Sequence, residues 1–248
     1  MRDFYTDISL NYYANFGKHN VGALLLGRAT KYTMPYDSFN TPSGLIGTSA
    51  RVTYDYDTRY LVELNFAYNG TENFAKGHRF GFFPAASIGY VISNEPWFKE
   101  NPVLSFLKVR ASYGLVGNDQ IGGRRYLFLP GTYSVNMGPG SFTSTELSGS
   151  LQSNYYQFGN STGVYNPIYY GSAEGVLGNP DVTWEKSEKA SVGLEAKFFD
   201  SRLYLTADYF GEKRRDILTT LGVIPITFGV PVENTAPVNV GRVKNEGF

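Results

Sequence analysis

Five stretches of this chain alternate apolar and polar residues for about ten positions each, the length a β-strand needs to cross a bilayer. Very short turns and long Gly/Ser/Tyr/Asn-rich loops join them in alternation. The cleanest stretch runs from Arg59 to Gly70: Tyr60, Val62, Leu64, Phe66 and Tyr68 fall on one side, and Glu63, Asn65, Ala67 and Asn69 on the other. A strand has period 2, so such a segment carries one face suited to lipid and one suited to water. A soluble sheet can alternate in the same way, yet it seldom does so repeatedly at bilayer-spanning length with such unequal connections. The expected fold class is all-β, an antiparallel transmembrane β-barrel wall.

Composition agrees with that reading and excludes others. Aromatics make up 16% of the 248 residues, with 20 Tyr and 18 Phe; there are 28 Gly and no Cys. Twenty-two acidic and 22 basic residues cancel, so no basic field exists to draw nucleic acid, and no nucleic-acid partner is expected. Absence of Cys removes disulfides and thiolate chemistry while leaving the compartment open. No apolar run of about 18 residues is present, so no transmembrane helix is expected, and a mean hydropathy of -0.25 suits a barrel with a polar lumen. Met1 to Asp7 lacks a basic or apolar export region; on the barrel reading, the signal lies upstream and the chain is part of a longer one.

Along the chain the patterning predicts nine strands: 4–16, 20–29, 47–56, 59–70, 79–92, 106–116, 182–199, 202–216 and 237–248. Their apolar sets give the lipid-facing wall as Val52, Tyr54, Tyr60, Val62, Leu64, Phe66, Val109, Ala111, Val192, Leu194, Leu203 and Leu205. Pro84 cannot donate to a ladder and predicts a bulge. A helical turn is expected around Glu95 to Lys99, and a short strand at Arg124 to Leu129. Tight turns at Asp57-Thr58 and Asp200-Ser201 mark the periplasmic ends, with Tyr54, Tyr56, Tyr60, Tyr90, Phe198 and Phe199 as an interfacial girdle, although Tyr and Phe are also generic strand formers. Residues 118–181 form one long loop, extracellular on this reading.

Several stretches resemble the SusC/RagA family of TonB-linked outer-membrane transporters. They are Arg59-Tyr60-Leu61-Val62-Glu63 through Asn69-Gly70-Thr71-Glu72-Asn73-Phe74, and Gly81-Phe82-Phe83-Pro84-Ala85-Ala86-Ser87-Ile88-Gly89-Tyr90. Further on are Leu107-Lys108-Val109-Arg110-Ala111-Ser112-Tyr113-Gly114, Asn179-Pro180-Asp181-Val182-Thr183-Trp184-Glu185 and Asn239-Val240-Gly241-Arg242-Val243. The family usually has Asp-Gly-Ser-Ser in place of Asn69-Gly70-Thr71-Glu72 and Trp in place of Tyr90. The resemblance implies a barrel of about 22 strands with a plugged lumen. It makes residues 1–248 a partial barrel domain, with the plug, TonB box, signal peptide and remaining strands outside it, and the last strand continuing past Phe248. It also implies outer-membrane lipid, a SusD-like surface lipoprotein, the TonB complex and a glycan or peptide substrate as partners.

Chemistry of other kinds finds little support. His19 and His78 lack companions at metal-ligand spacing, and the carboxylate neighbours Asp55/Asp57 and Glu185/Glu188 sit at strand ends or turns, so no catalytic, cofactor or metal site is expected. Gly122-Gly123 and Gly138-Pro139-Gly140 are turn chemistry, and Lys213-Arg214-Arg215 is a solvated rim. Trp184 reads as a structural or interfacial ring. The loop at 153–173 collects Tyr155, Tyr156, Tyr165, Tyr169 and Tyr170 among Asn, Ser and Gly. Packing of this loop on its own rings is the simpler reading; substrate or lid contact through stacking and amide hydrogen bonds is the other. The alternative function is a soluble or surface-attached β-rich carbohydrate-binding module.

Overall fold

The computed structural model describes residues 2–33, 43–99, 103–119, 126–130, 134–135, 157–158, 169–170, 172–173, 177–219 and 235–248. Its main element is one nine-stranded antiparallel sheet: β1 (Arg2–Phe16), β2 (His19–Thr33), β3 (Ser43–Tyr56), β4 (Tyr60–Thr71), β5 (Phe80–Val91), β6 (Leu104–Asn118), β11 (Glu185–Phe198), β12 (Leu203–Thr219) and β13 (Val238–Gly247). Each strand pairs with the next in that order, and β1 and β13 each have one neighbour, so the sheet is not closed. Within the connection from β6 to β11, two-residue strands pair as β7 (Ser134–Val135) with β10 (Ser172–Ala173) and β8 (Gln157–Phe158) with β9 (Tyr169–Tyr170).

Turn chemistry explains the tight ends. Gly17 takes a φ of 67° between β1 and β2. Asp57 and Thr58 take φ of 53° and 52°, a left-handed conformation that a β-branched residue rarely adopts. Side chains hold it: Asp55 Oδ1 accepts from the Thr58 N–H at 2.7 Å, and Asn94 Nδ2 donates to the Thr58 carbonyl at 3.0 Å.

No bulge occurs at Pro84. The β4–β5 ladder runs without a shift from Tyr60↔Tyr90 to Gly70↔Phe80, with Pro84 opposite Phe66. What stops is the other ladder: β5–β6 pairing ends at Ala85↔Gly114, next to the proline, while β6 stays on β11 as far as Asn118↔Glu185. Proline has no N–H to extend the pairing, and the seam that opens is filled by side chains. Phe74, Phe83, Leu127, Val182 and Trp184 form the buried cluster there. The Trp184 ring lies 5.2 Å from Phe83 and 5.5 Å from Phe74, and its indole N–H donates to the Arg79 carbonyl at 3.2 Å. A Cβ on Gly81 or Gly117 would overlap the Phe83 ring, so glycine at both positions is what admits it.

This cluster accounts for two departures from the sequence expectation. Residues 182–184 precede β11 instead of opening it, because Val182 and Trp184 are buried in the seam while Thr183 exchanges hydrogen bonds with the Asn239 side chain. In place of a strand ending at Leu129, residues 126–129 make a turn, with the Leu129 N–H donating to the Tyr126 carbonyl at 2.9 Å and Leu127 buried. The helical turn falls at Ile92–Asn94, just before Glu95 to Lys99, which continues as a turn closed by Phe98 N–H to the Glu95 carbonyl at 3.0 Å. Other strands run longer than their alternation: β2 to Thr33 and β12 to Thr219.

Candidate functional site

Register assembles the alternating strands into two continuous faces. One cross-strand row reads Ala14, Val21, Tyr54, Val62, Ile88, Ala111, Val192, Tyr209, and by period 2 every residue assigned to the wall lies on that same face. Val52, Tyr54, Tyr60, Val62, Leu64, Phe66, Val192, Leu194, Leu203 and Leu205 are all exposed on it, and Val109 and Ala111 half-buried. An apolar face of this extent, uncovered by any second layer among the described residues, demands an apolar environment.

Two aromatic bands bound the face. At the tight-turn end His19, Tyr56, Tyr60 and Tyr90 form one paired row, with Tyr60 and Tyr90 stacked at 5.2 Å. Phe16 extends it, opposite His19. Near the loop end Phe66 stacks on Phe82 at 6.2 Å and Tyr68 on Phe80 at 5.2 Å. Of the expected girdle, Tyr56, Tyr60 and Tyr90 lie in the first band, Tyr54 lies two residues inside it on the same face, and Phe198 and Phe199 stand apart at the end of β11; the second band is seen only once register brings β4 and β5 side by side. Between the bands lie Val62, Leu64, Ala86 and Ile88.

The opposite face is polar and lines a groove of about 480 Å³ with Tyr13, Asn20, Thr53, Asp55, Glu63, Lys108, Arg110 and Ser191 among its walls. Arg110 bridges two strands, reaching Asp208 at 2.7 Å and Glu195 at 3.1 Å; Arg51 Nε donates to Asn65 at 3.0 Å and lies 3.5 Å from Glu63. Arg28 pairs with Asp7 at 2.9 Å. These pairs are solvent-screened, so their contribution is a wettable, alternating-charge surface more than stability. Among the described residues no three His, Cys, Asp or Glu groups could hold a metal ion.

At the tight-turn end a polar clasp ties three connections together. Arg59 donates to Glu95 at 3.0 Å and to Asp57 at 2.8 Å, Tyr60 donates to Glu95 at 2.6 Å, and Lys18 reaches Asp57 at 2.9 Å. The Tyr60 hydroxyl first, and Arg59 after it, hold the Glu95 carboxyl below the usual glutamate range against the opposing effect of burial. Lys18 does the same for Asp57.

His19 opens β2, its Nδ1 2.8 Å from the Tyr54 hydroxyl, and His78 lies exposed in the β4–β5 turn. Glu185 accepts from the Leu218 N–H and the Asn118 amide, both at 3.0 Å, and so joins three strands. Arg214 and Arg215 pair with Glu212 and Glu188. Trp184 is a buried structural ring. Tyr155, Tyr156 and Tyr165 lie outside the described residues, while Tyr169 and Tyr170 form β9.

An open antiparallel wall with a banded apolar face and a charged, wettable face is a piece of a membrane β-barrel. The chain belongs to the family described as TonB dependent receptor-like, beta-barrel, which matches residues 2–248. It is 28% identical over 213 residues to TonB-dependent receptor P39 of Formosa agariphila, covering 84% of this chain and 17% of the relative. It is 27% identical over 211 residues to TonB-dependent receptor SusC of Bacteroides thetaiotaomicron, covering 85% and 18%. The chain thus spans less than a fifth of the length of these relatives. Among solved structures, the RagAB peptide transporter superposes with a TM-score of 0.70 at 19% identity, over 99% of this chain and 26% of that one. RagAB in its open-open state gives 0.68.

Proposed function

We propose that this chain forms part of the wall of a TonB-dependent importer in the outer membrane, one that takes up oligosaccharides or peptides together with a SusD-like surface lipoprotein. The observation that carries the reading is the apolar face, continuous across eight strands in register and bounded by aromatic bands, with the ion pairs of Arg28, Arg51 and Arg110 on the other side. A soluble carbohydrate-binding module would have to cover that face with a second layer, and the nine strands form a single one. The lipid contacts are then Val62, Leu64 and their row-mates, the tight turns face the periplasm, and residues 118–181 face outward. The description of RagAB as a peptide importer supports peptide cargo, and the Tyr-rich segment at 153–173 suits a glycan, a peptide or the lipoprotein lid equally well. TonB engages the intact transporter outside this wall.

Disruption of the gene should abolish uptake of one class of oligosaccharide or peptide, and so should loss of TonB. In the intact transporter Val62→Arg should cost roughly 2–4 kcal/mol of assembly stability and Glu63→Gln almost nothing. Undiminished uptake without the gene would overturn the transport reading; equal tolerance of the two substitutions in an outer-membrane folding assay would overturn the lipid-facing assignment.

A further inference from the structure

We propose that Asn179 and Asn239 are positioning residues for cargo capture: together they staple the connection between β6 and β11 to that between β12 and β13, so that incoming cargo meets the two in one fixed arrangement. The proposal rests on the functional reading above, in which these connections face outward. The need for a staple follows from the ladders. β11–β12 pairing ends at Lys186↔Arg215, while β12–β13 pairing continues to Thr219↔Val238 after a register shift between Arg214 and Ile217. Asp216, inside that shift, takes a φ of 59°, a left-handed conformation that residues other than glycine adopt only at some cost. The backbone at 183 and at 216 thus lies beyond the β11–β12 ladder, and its polar groups must be satisfied by other means.

Asn239 does this with one side chain. Its Oδ1 accepts from the Thr183 N–H at 3.0 Å, and its Nδ2 donates to the Thr183 carbonyl at 2.9 Å and to the Asp216 carbonyl at 2.7 Å. The amide stands in for a strand neighbour, reaching from β13 across the bulged end of β12 to the residues that precede β11. Asn179 makes the reciprocal reach: its Nδ2 donates to the Pro237 carbonyl at 2.8 Å, while its Oδ1 accepts from the Asp181 N–H and its own N–H donates to the Leu127 carbonyl. The two bridges join residues 56 and 58 positions apart in the chain. Neither is required to hold the wall, whose register is already fixed by unshifted ladders from Lys186↔Arg215 to Phe198↔Leu203 and from Phe210↔Gly247 to Arg214↔Val243. What the bridges fix is the direction in which the two connections leave the wall, and that matters to cargo more than to the sheet.

The test pairs distance and uptake measurements on the full-length protein. Spin labels at Asp181→Cys and Arg202→Cys, in an otherwise cysteine-free background, report how firmly the first connection is held on the wall. Uptake by cells is followed with two fluorescent pools, one of mixed oligopeptides and one of mixed neutral oligosaccharides. Asn179→Ala and Asn239→Ala should each broaden the distance distribution and raise the concentration for half-maximal uptake roughly fivefold, about the factor that one lost hydrogen-bonded contact brings. The maximal rate and the amount of heat-modifiable protein should not change. Asn94→Ala, which removes an amide bridge at the opposite end of the wall, should alter neither the half-maximal concentration nor the maximal rate. Should Asn239→Ala fail to assemble, Asn179→Ala carries the test, since it leaves the Thr183 and Asp216 bonds in place. An unchanged half-maximal concentration despite a broadened distribution would overturn the positioning role, as would an unbroadened distribution or a loss confined to the assembled amount. Wild-type protein that takes up neither pool would overturn the functional reading instead, so the two failures are distinguishable.

Discussion

The Phe83 ring shows how a single residue can depend on the absence of atoms elsewhere. It occupies the seam beside Pro84 because Gly81 and Gly117 carry no side chains, and it meets Trp184 edge-on. In the full-length protein Phe83→Ala should cost about 3–5 kcal/mol by leaving a cavity, and Gly117→Val about 1–3 kcal/mol by displacing the ring. Combined, the two changes should cost less than their sum by about 1 kcal/mol or more, since the valine then occupies space the ring has vacated. Urea titration of the four proteins in detergent micelles measures the coupling, and strictly additive costs would mean that ring and glycine do not share this space.

At the level of elements, alternation placed all nine strands of the sheet, because a half-buried strand writes its two faces into every second residue. It failed where local pattern and distant burial conflict. Val182 and Trp184 alternate like strand residues but are drawn into the seam, and nothing near Leu127 in sequence announces that it will be buried there. The charged face was equally hidden, because Arg110 and Asp208 meet across 98 positions of chain. The clasp at the turn end was visible only as separate charges, and its pH behaviour follows from its assembly. Glu95 titrates below its unfolded value, so its contribution is complete above the usual glutamate range and is lost as pH falls through the lowered folded value. The melting temperature of the full-length protein should therefore drop on acidification below about pH 4, and more steeply than that of Glu95→Gln, which starts lower and has no charge to lose at this position. Parallel acid profiles for the two proteins would show that the clasp does not couple to unfolding.

For the whole molecule, the decisive property is that the sheet has two free edges and almost no interior. Its buried cluster is confined to the loop end, and both faces of β1 are largely exposed. Such a layer is stable in hydrocarbon only when further strands satisfy the outward-directed N–H and C=O groups of β1 and β13, since each unpaired group there costs several kcal/mol. Water is no better a solvent for it, because the face through Val62 and Leu64 would remain uncovered and the edges would recruit other copies. These 248 residues expressed alone should accordingly give aggregates or edge-paired oligomers in detergent, without the shift on heating that marks a closed barrel during electrophoresis. A monodisperse, heat-modifiable monomer would mean that β1 and β13 can pair with each other, closing a nine-stranded barrel whose lumen would have to accommodate the ion-paired face of Arg51 and Arg110.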